Sequence, residues 1–342
     1  MHQIAPNMII ENYARGTYSG EFNAVGIFVD VTGFSTMADV LMQQGQHGAE
    51  VLAWIMQKIF DPLINHIHTQ DGFIVGFAGD AVTALFPYTE HPAATLRQAL
   101  AAAWAIQKQM AAMPSIATVY GAFPISAKVG LAYGKVTWGI LRSQDATRAT
   151  YYFSGEAVND SALAEHHARS GEIVLTQAAF DLARVEVTGV ARDEFILLRE
   201  IQAELPPPGL VKLSEPDLNV LRVFFPEILL KEKVPSEFRQ VVNVFIQLPD
   251  LSSEAVAAFM SKLFDLQARY GGMLSRIDYG DKGCNMLLFW GAPVAYENDI
   301  LRALNFISNL RDRCGYSFRA GVSYYVASAG FMGSDQREEY TC

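Results

Sequence analysis

The chain is poor in cysteine. Cys284, Cys314 and Cys342 are the only three among 342 residues, an odd number without metal-ligand spacing. That excludes a disulfide-built secreted scaffold and a zinc module, and it fits a reducing, cytoplasmic compartment. Positive charge is also scarce, with 26 Lys and Arg against 36 Asp and Glu and a net charge of −10. Nucleic acid and anionic membrane are therefore not expected partners. No apolar run is long enough to span a bilayer, because the Ala-rich stretch from Ala93 to Met113 is interrupted by Arg97, Gln98, Gln107 and Lys108. The N-terminus lacks the basic-then-apolar order of a signal peptide. There is no Gly-x-Gly-x-x-Gly, no Walker pattern and no serine-nucleophile motif.

What is present is a globular composition, 51% hydrophobic and 18% charged, long enough for two domains. The organising stretch is Gly26-Ile27-Phe28-Val29-Asp30-Val31-Thr32-Gly33-Phe34-Ser35-Thr36. Its β-branched and aromatic run reads as a buried strand ending in a carboxylate. Thr32, Gly33 and Ser35 then read as a tight turn with capping residues into a helix that Phe34 opens. Fifty positions on, Phe73 to Phe77 and Ala81 to Phe86 read as a hairpin with Gly79-Asp80 at its tip. Two carboxylates converging there suit a pair of divalent cations roughly 3.5–4 Å apart, the arrangement that clamps an in-line phosphoryl displacement. Helix N–H groups beside them suit a polyphosphate. The plainer alternative makes Asp30 a helix cap and Asp80 a turn residue.

FVDVTGFSTM followed by FAGDAVTALF resembles the class III nucleotidyl cyclase catalytic domain. The rest of the chain agrees with that resemblance. A strand from Val25 to Asp30 is followed by helices at Phe34–Gln44 and Ala49–His68, with Gly45 to Gly48 between them. The hairpin comes next, then the Ala-rich helix, strands at Ile125–Tyr133 and Val136–Leu141, and a strand at Thr150–Phe153. A helix over 155–168 and a strand over 172–176 complete the order β-α-β-β-α-β with additions, a ferredoxin-like core. After the linker signal Leu205-Pro206-Pro207-Pro208-Gly209 the opening pattern returns. Val241 to Leu248 lines up with Ala24 to Val31, the stretch from Gly271 to Trp290 with the Asp80 hairpin, and Phe318 to Tyr324 with Ala127 to Tyr133. This is an internal duplication. The expected class is α+β, with two ferredoxin-like cyclase domains in pseudo-twofold arrangement, the second incomplete. Residues 1–22 are expected as an irregular N-terminal arm, 23–200 as the first, metal-binding domain, 201–238 as a linker, and 239–342 as the second, purine-binding domain.

The copies differ where chemistry is at stake. Gln247 stands for Asp30, and Gly283 for Asp80. The tandem arrangement is similar to that of the soluble, bicarbonate-responsive adenylyl cyclase group. The resemblance implies that ATP is the substrate and that Asp30 and Asp80 are catalytic and bind two Mg²⁺ or Mn²⁺ ions. It also implies that Lys282 and Thr341 read adenine, while the turn Thr32, Gly33, Phe34 and Ser35, together with Lys128, holds phosphates. Adenine accepts at N1 from a Lys and donates from its amino group to a Thr hydroxyl, whereas guanine would leave a buried mismatch. There are departures. The family's helix with an Asn and a transition-state Arg would follow Thr341, beyond the last residue, Cys342. In the first copy Asn159 is present, but the Arg position is Leu163. Gly76 stands where the bicarbonate-responsive group has a Lys, which argues against bicarbonate activation. The expectation is therefore a C-terminally truncated, low-activity or inactive piece of a cytoplasmic adenylyl cyclase, with downstream regulatory domains in a longer chain and some tendency to self-associate. The alternative is a non-catalytic, nucleotide-binding regulatory module.

Overall fold

The computed structural model describes residues 3–88, 90–183, 186–211, 215–231, 234–249, 251–280 and 283–342. Its first half is built on the strand Ser19–Thr32. From Ala24 onward both faces of this strand are covered. Val25, Ile27, Val29 and Val31 point into a core shared with the helices Gly45–His68 and Pro92–Ala112. The helical spacing of Leu52, Ile55, Ile59, Leu63 and Ile67 supplies the apolar stripe that meets them. Ala24 faces the other way, towards Ala157 and Val158 on the helix Glu156–His166.

In sheet order the strands are Phe73–Ala78, Ala81–Tyr88, Ser19–Thr32 and Ser126–Arg142, then Ile173–Thr176, Phe195–Ile201 and Val187–Arg192. Ala149–Ser154 pairs off Ser126–Arg142. Each of the first four strands is antiparallel to its neighbour, and they have the order of a βαββαβ ferredoxin-like sheet. The second half repeats that order in a five-stranded sheet of Met273–Gly280, Gly283–Trp290, Glu237–Gln247, Arg319–Ser334 and Arg337–Thr341. The helices Ser253–Tyr270 and Asp299–Arg313 cover one face of this sheet through Phe259, Leu263, Phe306 and Leu310. The fold is mixed α+β, as expected.

Three local expectations are corrected. The strand Ser126–Arg142 is continuous, although Gly134-Lys135 reads as a turn. It pairs with the opening strand along its length, from Ser19 opposite Gly139 to Thr32 opposite Ser126, and this pairing overrides the local signal. Gly134 instead makes room for Glu156, whose Cβ would lie 2.6 Å from a Cβ at that position. The reversal comes later, at 143–148, where Asp145 accepts from the hydroxyls of Ser143 and Thr147. Second, the described part of the expected arm, residues 3–22, is not irregular. Asn7–Ala14 is a helix, and Ile4, Ala5 and Ile10 bury against Val220 and Leu221 of the helix Leu218–Phe224. Third, the stretch expected as a linker holds two helices, Leu218–Phe224 and Glu227–Lys231, divided at Pro226.

The helix Glu156–His166 lies unusually close to the sheet, and two glycines allow it. A Cβ on Gly26 would sit 1.9 Å from the Ala157 carbonyl oxygen, and one on Gly130 would sit 2.0 Å from that of Ser161. Both obstacles are backbone and cannot rotate away. Gly130→Ala is therefore expected to lower stability by about 1–3 kcal/mol. The measurement is the urea midpoint at unchanged m-value, and an unshifted midpoint would contradict this account.

Candidate active site

Asp30 is the third residue from the end of the strand Ser19–Thr32. Asp80 lies in the two-residue turn between Phe73–Ala78 and Ala81–Tyr88. The turn is docked onto the strand end because the Asp80 carbonyl accepts from the Val31 N–H at 3.1 Å. Ala81 lies opposite Asp30 in the ladder. The two acidic residues are thus neighbours. Burial, chiefly, and the Asp30 charge push the Asp80 carboxyl above its ordinary value of 3.8.

On the other side of Asp30, its ladder partner is Lys128, whose Nζ lies 2.9 Å from Asp30 Oδ2. The same ammonium also binds Glu165, a carboxylate only 3% exposed on the helix Glu156–His166. Burial works against the Lys128 charge, but the two carboxylates outweigh it and raise its pKa. Lys128 is therefore a fixed cation shared between Asp30 and Glu165. Glu165 has no counterpart among the residues singled out from sequence. Its signal was available, since Val158, Ser161, Ala162 and Glu165 fall on one buried helical face, where a carboxylate requires a cation.

The turn after the strand differs in detail from expectation. The Thr32 hydroxyl is engaged with the Ser126 hydroxyl and backbone. The helix Phe34–Met42 is capped by Gly33, without a capping side chain. Gly33 has φ +96°, and a Cβ there would lie 2.2 Å from the Pro124 carbonyl oxygen, so glycine is required. Ser35 is exposed in the first turn, and its backbone N–H belongs to the unsatisfied group at a helix start.

A cavity of about 410 Å³ opens between the two halves beside this centre. Phe34, Gly79 and Arg276 line it, and so does Thr341 from the last strand. Thr341 is half-buried and pairs with Gly330. Lys282 lies outside the described residues.

A second cavity, of about 590 Å³, is lined by Asn159, Gln247, Cys284 and Arg319. Here the alignment of the copies shifts by one residue. The bond from Leu248 N–H to the Cys284 carbonyl repeats the bond from Val31 to Asp80, so Cys284, rather than Gly283, stands in the place of Asp80. Its thiol is buried and pushed up to about 11. Gln247 pairs with Arg319 as Asp30 pairs with Lys128. The second centre thus keeps the cation and has neither carboxylate. His68 is largely enclosed, and burial holds its imidazole down at about 4.

Among the described residues no group of three or more His, Cys, Asp or Glu side chains forms a ready metal cage. The donor set still fits Mg²⁺ or Mn²⁺. These hard cations are commonly held by one or two carboxylates, with substrate phosphates and water completing the shell.

No protein-family model matches the chain. Over 94% of its length it is 24% identical to adenylate cyclase type 10 of Rattus norvegicus and 23% identical to that of Homo sapiens. It spans only 23% of the length of these relatives. Among solved structures, a class III adenylyl cyclase-like ATP-binding protein from Pseudomonas aeruginosa superposes with a TM-score of 0.64 at 12% identity, covering 94% of this chain and 79% of that one. The fold is class III nucleotidyl cyclase-like. No helix among the described residues is long and apolar enough to cross a membrane.

Because its pKa is raised, Asp80 holds its proton more firmly in the folded than in the unfolded chain. Stability is thus expected to fall as pH rises from 3.8 through the raised value. In metal-free buffer, Asp80→Asn should gain on the parent chain across that interval. Parallel stability-versus-pH curves from urea unfolding would contradict the assignment.

Proposed function

We propose that this chain is the catalytic region of an adenylyl cyclase, converting ATP to 3′,5′-cyclic AMP and pyrophosphate between its two halves. The observation that carries the reading is the convergence of Asp30 and Asp80 beside an interhalf cavity that also contains Thr341. The repeated strand order supports an internal duplication, with the carboxylates kept in one copy. In this reading, residues 23–200 and 239–342 are the two cyclase domains.

Asp30 and Asp80 would hold Mg²⁺ or Mn²⁺. When bound, such ions lower the pKa of the ribose 3′-hydroxyl and neutralise the triphosphate. The backbone N–H groups from Gly33 to Ser35 bind phosphate oxygens at the helix start. Lys128, kept charged by Glu165, adds a point charge beside Asp30. Thr341 accepts from the adenine amino group, and Lys282 donates to N1. The 3′-oxygen forms a bond to the α-phosphorus as the α–β bridging bond breaks. Pyrophosphate leaves with the bonding pair, and the hydroxyl proton passes towards Asp30 and solvent.

A second reading is an ATP-binding module without turnover. The superposition over 94% of the chain on a cyclase-like protein described as ATP-binding favours it. Calorimetry with ATP and Mn²⁺, run beside an assay for cyclic AMP, separates the two. The cyclase reading expects cyclic AMP formation that falls about 10²–10³-fold in Asp30→Ala and in Asp80→Ala. Binding without product would select the module. Failure to bind ATP would end both readings.

A further inference from the structure

The strand that leads into the Asp80 turn, Phe73–Ala78, lies at one edge of its sheet. It contains a bulge. Ile74 pairs with Ala84 and Gly76 with Thr83, which leaves Val75 as the extra residue. The corresponding strand of the second half has the same bulge, between Leu274 and Arg276, with Ser275 as the extra residue. Gly76 and Arg276 therefore occupy equivalent positions. One has no side chain; the other has a guanidinium that crosses to the opposite half.

That guanidinium donates from Nη1 to the Phe77 carbonyl at 2.8 Å. The Phe77 N–H in turn donates to Glu339 Oε2 at 3.4 Å. Both backbone groups of Phe77, three residues before Asp80, are thus held by charged side chains of the second half. Arg337 adds a donor to the Val75 carbonyl at 3.4 Å and lies 5.7 Å from the Phe77 ring centre. Arg276 is itself tied to Asp278, and Glu339 is 3.6 Å from Arg337. Glu339 and Arg337 are buried. Gly76 lies against this arrangement, and a Cβ there would meet Glu339 Oε2 at 3.6 Å, an ordinary van der Waals contact.

We infer that Arg276 and Glu339 are positioning residues for the metal-binding hairpin: by gripping Phe77 on both backbone groups, the second half sets where Asp80 stands relative to Asp30. This rests on the reading of Asp30 and Asp80 as metal ligands. It adds that ion affinity on the first half depends on side chains of the second that touch neither ion nor nucleotide phosphate. Arg276 also lines the interhalf cavity, so nucleotide entry and hairpin position meet at one residue.

The test is Mn²⁺ binding with ATP present, followed by the electron paramagnetic resonance signal of free Mn²⁺, together with amide hydrogen exchange. The paired variant Arg276→Met with Glu339→Leu removes both charges together. It is expected to weaken Mn²⁺ binding about 10–100-fold, the usual effect of removing groups that orient metal ligands. Exchange over 73–80 should speed up while the strand Ser19–Thr32 stays protected. Glu339→Gln keeps an acceptor for the Phe77 N–H and should bind Mn²⁺ nearly as the parent does. The inference is overturned if the paired variant, with its central strand protected, binds Mn²⁺ like the parent. It is overturned equally if the Phe77 amide of the parent chain exchanges as fast as free backbone, a measurement that needs no variant. Asp80→Ala tests the underlying reading separately: Mn²⁺ binding unchanged in that variant would remove the metal site itself.

Discussion

The antiparallel pairing of Ser19–Thr32 with Ser126–Arg142 is the constraint on which the rest depends. It sets Lys128 opposite Asp30 and so places a cation against a carboxylate at the strand end. It also stacks Gly26 and Gly130 on one face, where the helix Glu156–His166 can lie almost on the backbone. Because that helix lies so close, Glu165 reaches the same Lys128. A one-residue slip in this register would turn the core side chains outward and separate all three charges.

Much of this could be read from the sequence, for identifiable reasons. The Phe73–Ala78 and Ala81–Tyr88 hairpin has two β-rich runs around a Gly-Asp turn, and local chemistry decides it. The long helices have strong 3.6-residue stripes. What could not be read depended on partners distant in sequence. Gly134 resembles a turn until the full-length neighbouring strand is known. The helix Asn7–Ala14 is short and owes its burial to Val220 and Leu221, more than two hundred residues away. Among the candidate site residues, Asp30 and Asp80 stood out because strand ends and hairpin tips are visible locally. Glu165 did not, since a buried carboxylate becomes meaningful only once its cation is located. The position of Cys284 depended on the hydrogen bond to Leu248, which no alignment of letters contains.

The two halves share a frame and differ in the side chains at its two centres. Strand order, bulge position and the docking of the hairpin on the opening strand all recur. At the second centre, Gln247 and Cys284 replace two acids with a neutral amide and a protonated thiol, and Arg319 keeps the positive charge. Hard cations have no place there. The cavity beside it is nevertheless the larger of the two.

The bulged outer strand has a consequence for how this molecule behaves among copies of itself. An outermost strand with free carbonyl and amide groups is a template on which another chain can add. Here the outward groups of Val75 and Phe77 are already taken by Arg337, Arg276 and Glu339 of the same molecule. The second half thus acts as a charged border along this edge of the first sheet. The hydrogen bonds that join the two halves are thus the same ones that occupy this outer strand.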